Sequence, residues 1–98
     1  MSYYFNKIVD MDFDDAISHT TEKLSSEGFG ILTEINIKET LKKKLNAETN
    51  KYMILGACNP PSAYEAIKSE PNIGLMLPCN VIVREHDNGD VEVAAVDP

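Results

Sequence analysis

The sequence predicts an α+β fold. The expected order is β-α-β-α-β-α-β-β, with a curved, mainly antiparallel sheet and helices packed on one face. Three observations carry this expectation. Apolar residues recur at helical spacing in three segments, 13–27, 37–45 and 60–69. Between and after them lie short apolar or alternating runs bounded by Gly, Pro, Asn and Asp. The last two runs flank Asn88-Gly89, the strongest short hairpin signal in the chain, so they pair antiparallel. A length of 98 residues suits one domain, and 1–98 is read as a single domain with no repeat or linker.

Each element has a local reason. Residues 2–9 are rich in aromatic and β-branched types and form the first strand, which Asp10-Met11-Asp12 breaks. A helix over 13–27 follows. Asp12 is its expected N-cap, and Asp14 and Asp15 suit the positive end of the dipole. Phe13, Ala16, Ile17, Thr20 and Leu24 share one stripe, and Gly28 offers a left-handed cap. His19 lies off the stripe and reads as solvated. Residues 29–35 alternate as a second strand, with Phe29, Ile31, Thr33 and Ile35 on one face. Asn36 and Glu39 have capping-box spacing before a helix at 37–45, whose narrow stripe is Ile37, Leu41 and Leu45. Asn46 stops it, and 47–51 is a polar loop, the weakest part of the chain.

Residues 52–58 are nearly all apolar and read as a central strand. Pro60 and Pro61 suit the first turn of a third helix, Ser62 and Glu65 have the spacing of a second capping box, and Ala63, Ala66 and Ile67 face inward. The helix runs to about Ser69, because Pro71 blocks its continuation. Residues 73–85 read as extended, with a kink, bulge or edge at Pro78. Residues 91–96 return as the last strand, and Asp97-Pro98 ends it.

Sixteen acidic and 9 basic residues give a formal charge of -7. That charge repels phosphate backbones, so no nucleic-acid partner is expected. The one basic run, Lys42-Lys43-Lys44, reads as a solvated helix end. No apolar run approaches the roughly 20 residues of a membrane helix, and the N-terminus lacks a secretory pattern. No membrane partner and a cytoplasmic location are expected. Two cysteines without a CxxC motif read as free thiols rather than a zinc site.

Cys-Asn occurs twice, each time after an apolar run and beside proline. The blocks are Ile54-Leu55-Gly56-Ala57-Cys58-Asn59-Pro60 and Leu77-Pro78-Cys79-Asn80-Val81. Together with Phe13-Asp14-Asp15-Ala16-Ile17, the run from Gly28 through Ile35 and the closing Asp97-Pro98, they resemble a bacterial and archaeal family, domain of unknown function 302. The resemblance spans nearly the whole chain. It implies a small α+β cytosolic protein, oligomeric, with no established reaction. It also implies a further helix after Asp97-Pro98, which this chain lacks. A face of the sheet would then be left bare, and dimerisation would cover it.

Candidate chemistry centres on Cys58, Asn59, Cys79 and Asn80. Cys58 sits at the head of a helix, where outward amides lower a thiol pKa. With Cys79 nearby, two soft donors would bind a thiophilic metal or carry sulfur; Met53 and Met76 are further candidate soft ligands, although Met53 alternates away from Cys58 on an ideal strand. Against this, a free cysteine ordinarily packs as a small hydrophobe, Asn59 serves as a helix cap and Asn80 as a bulge residue. Packing is weighed ahead of reactivity. His86, with Glu85, Asp87, Asp90 and Glu92, is a second cluster able to hold a cation, but it lacks an EF-hand pattern. A two-residue turn would set Glu85 against Glu92, an unfavourable pair. The tip therefore reads as solvated or differently registered. No Ser-His-Asp elbow or phosphate loop is present, and Tyr3, Tyr4, Phe5 and Tyr52 suit a pocket, a subunit contact or the core.

The reading is a non-enzymatic homo-oligomer, a homodimer, that binds a small-molecule ligand or a partner, with no catalytic residues, metal or cofactor expected. The alternative is a thiol-dependent protein handling sulfur or a soft metal through Cys58 and Cys79. A purely structural oligomer subunit is the third option.

Overall fold

The structure, a computed structural model, describes residues 3–96. The expected strand start at Ser2 and the closing Asp97-Pro98 lie outside the described residues. The elements are β1 (Tyr4–Val9), α1 (Phe13–Ser26), β2 (Gly30–Asn36), α2 (Ile37–Leu45), β3 (Tyr52–Cys58), α3 (Pro60–Ser69), a 3-10 helix (Pro71–Met76), β4 (Cys79–Glu85) and β5 (Val91–Val96). The fold is α+β, in the expected order. The sheet has five strands in the order β1-β5-β4-β3-β2, and every neighbouring pair is antiparallel.

Local chemistry sets the helix ends. The Asp12 carboxylate accepts from the Asp15 N–H at 2.8 Å, as its position predicts. At the other end of α1 the Phe29 N–H donates to the Leu24 carbonyl and the Gly28 N–H to the Ser25 carbonyl, a Schellman closure. That closure needs the left-handed φ of 87° that Gly28 adopts. In α2 the Asn36 side chain accepts from the Glu39 N–H, and Asn46 ends the helix in the left-handed region.

One face of the sheet packs on α1. Phe13 and Ala16 meet Leu55, Val81, Val83 and Val91 in the buried cluster, and Leu55 and Val83 are fully buried. Burying a Leu or Val side chain contributes about 1.5–3 kcal/mol, so this cluster fixes which face of each strand turns inward. The pleat then sends Tyr52, Ile54, Ile82, Arg84, Glu92 and Ala94 to the opposite face.

Several expectations need correction. Residues 73–78 are not strand: Pro71–Met76 forms the 3-10 helix, and β4 starts only at Cys79. Proline at the head of a short helix costs nothing, because the first N–H groups have no partner there. The cap of α3 is Asn59, whose side chain accepts from the Ser62 N–H, rather than Ser62. No residue of α3 is buried, and Ile67 is exposed. In β2 the register shifts between Ile31 and Thr33. This bulge puts Ile31 opposite Ala57 and Ile35 opposite Ile54, so the two isoleucines face opposite sides. The polar loop is anchored: the Lys38 ammonium donates to the Thr49 carbonyl, and the Asn50 amide to Asp87.

Candidate functional site

The β4–β5 hairpin builds the site. Its loop is Asp87-Asn88-Gly89, closed by the His86 N–H donating to the Asp90 carbonyl, with Gly89 at a φ of 93°. This is the three-residue loop with a left-handed glycine, one residue longer than a two-residue turn. The register moves accordingly. Glu85 faces Val91 and Arg84 faces Glu92, so an opposite-charge pair replaces the like-charge pair that a two-residue turn would force.

Glu92 is 4% exposed although it is ionisable. Burying a carboxylate is costly unless its oxygens are satisfied. One oxygen forms an ion pair with Arg84 Nη2 at 2.8 Å and lies 2.8 Å from His86 Nε2, and the other accepts from the Asn6 amide at 3.1 Å. Burial pushes the Glu92 carboxyl up. The His86 and Asn6 hydrogen bonds and the positive field of Arg84 and His86 outweigh burial and hold it below its ordinary value of 4.5. These contacts tie β1, β4 and the hairpin loop to β5 through one side chain.

Beside this network lies a cavity of about 380 Å³, lined by Tyr4, Tyr52, Asn80, Ile82, Arg84 and Ala94 among others. It opens on the face turned away from α1. Its walls are aromatic and aliphatic, and among the described residues its charged groups are Arg84 and Glu92. Arg84 is the chain's single arginine. A second concavity, near Phe13 and α2, mixes Lys38, Lys42, Lys43 and Lys51 with Asp14, Glu39 and Glu48. Lys42 is paired with Glu48 at 2.6 Å, so its charge is largely balanced.

The residues singled out from sequence fall in different places. The two Cys-Asn blocks pair with each other across β3 and β4: Leu55 faces Val81, Gly56 faces Asn80 and Ala57 faces Cys79. Pro78 and Thr33 close over Gly56 so tightly that no Cβ fits there. Asn80 lines the cavity, and Asn59 caps α3. Cys79 shares the face of Ala57, whereas Cys58, the next residue along β3, points to the other side. The two sulfur atoms thus leave the sheet in opposite directions, Cys58 half-buried and Cys79 exposed. Met53 packs against the core and Met76 is exposed, so neither joins them. Among the described residues, no three His, Cys, Asp or Glu side chains gather as a metal site requires. At the hairpin tip His86 binds Glu92, Asp87 binds Asn50 and Asp90 binds Asn88, so the acidic cluster is split among separate partners.

The pairing of the two Cys-Asn blocks brings the comparisons into focus. A family model described as "Domain of unknown function DUF302" matches residues 5–98. The chain belongs to this family. It is similar to the crystal structure of an uncharacterized conserved DUF302 protein from Bacillus stearothermophilus, with a TM-score of 0.92 and 26% identity. The likeness covers 100% of this chain and 76% of that one. No curated protein matches. Membership in DUF302 rests on the family model's match over residues 5–98, which includes the two blocks that β3 and β4 hold side by side. The Arg84–Glu92 site lies further along the same two-strand ladder and its partner β5. Sequence reasoning weighed Glu92 only as part of the hairpin tip. The lone arginine was visible in the sequence, but its pairing with Glu92 depends on the three-residue loop.

Proposed function

We propose that this DUF302 protein is a non-enzymatic binding module, and that its working surface is the sheet face turned away from α1. One observation carries the reading: a cavity of about 380 Å³ surrounds the only arginine of an acidic chain. Small-ligand sites are mostly apolar concavities of roughly 300–1,000 Å³ with a few placed polar groups. The cavity fits that description, with Tyr4, Tyr52, Ile82 and Ala94 as walls and Arg84 and Asn80 as polar points. Four adjacent strands of the sheet form its floor, so most of the site is held in place before binding. The protein acts as a homo-oligomer in this reading, with the cavity left accessible. The thiol alternative draws less support, because its two cysteines belong to opposite faces of the sheet.

A fragment screen followed by amide NMR tests the proposal. Fragments of mixed charge should shift the amides of Ile82, Arg84, Glu92 and Ala94 as a group. Shifts confined to the helices, or scattered without a focus, would reject the cavity as the binding surface.

A further inference from the structure

We propose that the cavity selects a small monocarboxylate carried on a flat apolar or aromatic body. This deepens the binding reading above and rests on it. Glu92 is 4% exposed and both its oxygens already have partners, so it offers nothing to a ligand. The Arg84 side chain remains 39% exposed and lines the cavity. The charge that a ligand meets is therefore positive.

The form of that charge narrows the class. A guanidinium has five N–H donors in a rigid fork, and the Glu92 contact is made through Nη2 alone. Donors remain for a second planar acceptor, and carboxylates match the fork bidentately. Glu92 also fixes the guanidinium in place before a ligand arrives, so little rotamer entropy is lost on binding. Among the described residues, no lysine lines the cavity. One cation in a chain of net charge -7 suits a monoanion better than a phosphate dianion, which lysine and helix ends ordinarily share. The remaining walls choose the body. Tyr4 and Tyr52 offer aromatic contact, and Ile82 and Ala94 offer aliphatic contact. Asn80 adds an amide that both donates and accepts.

Benzoate, benzamide, benzylamine and inorganic phosphate serve as probes, titrated separately into the full chain and followed by amide NMR. Benzoate should move the Ile82, Arg84, Glu92 and Ala94 signals. Benzamide, with the same shape and no charge, should bind at least about tenfold more weakly, the cost of one charge-assisted interaction. If benzamide, benzylamine or phosphate binds there as tightly as benzoate, the carboxylate class falls and the binding reading stands. If no probe moves those signals, both fall. R84M/E92L removes the ion pair as a unit and avoids stranding a buried carboxylate. It should abolish the preference for benzoate over benzamide, and a preference that persists would overturn the role of Arg84. Should that variant fail to fold, R84K keeps the charge without the fork. It should weaken benzoate about tenfold, and an unchanged affinity would overturn the assignment.

Discussion

Glu92 turns the sheet's stability into a function of pH. Its folded carboxyl titrates below the unfolded value near 4.5, because the His86, Asn6 and Arg84 contacts outweigh burial. A group with a depressed folded value stabilises the fold fully above the unfolded value. That contribution is lost as pH falls through the lower, folded one. Glu92→Gln cannot titrate and so lacks this dependence, while every other carboxylate is shared with the wild type. The gap in urea-unfolding free energy between the two proteins should therefore shrink as pH drops below 4.5. A gap that holds steady into the acid range would show that the contacts do not favour the ionised form. The same residue shows what the sequence withheld. The conflict between Glu85 and Glu92 under a two-residue turn was visible in the sequence, and sliding the register by one residue resolves it with Arg84. Choosing that register requires the hairpin loop length, which Asn88-Gly89 alone does not define.

At the scale of elements, what was legible was whatever local chemistry decides. Asp12, Asn36 and Asn46 mark their helix ends because a cap is a contact within a few residues. Strand β3 begins and ends, and β5 begins, where turn residues bracket apolar runs. Two elements were misread for the opposite reason. The apolar run from Ile73 to Leu77 resembles a strand, but prolines at 71 and 78 bracket it and it folds as a 3-10 helix. The start of α3 offered two caps, Asn59 and Ser62. Asn59 wins because Pro60 and Pro61 then fall in the first turn, where their missing N–H groups cost nothing. The two caps are separable by mutation. Asn59→Ala removes the acceptor for the Ser62 N–H and should cost about 1 kcal/mol, or roughly 4–8 °C in Tm for a chain of this size. Ser62→Ala should shift Tm by far less. Equal losses in a thermal melt would mean that both side chains cap the helix.

At the scale of the whole molecule, strand order was beyond local patterns, because β1 lies beside β5 and β2 beside β3 only through non-local pairing. That order has a consequence for assembly. It gathers the cavity onto β1, β5, β4 and β3, on the face turned away from α1. A self-association surface compatible with ligand access must then lie elsewhere. The α3 and 3-10 unit packs mainly on itself and exposes Tyr64 and Ile67, with Leu75 at 89% and Met76 at 74% exposure. Several exposed large apolar side chains on one small unit make it a candidate contact surface. If the homo-oligomer uses it, the wild type should sediment above the monomer mass, and L75D/M76D should return it to the monomer. Both substituted side chains are exposed, so the sheet amides should keep their positions and the probe titration at Arg84 should be unchanged. A wild type that sediments as a monomer at NMR concentrations would remove self-association from the reading. An oligomer indifferent to L75D/M76D would move the contact to another surface. In either case the cavity would stand or fall on its own titration, since Arg84 and Glu92 lie on a different element from the substituted pair.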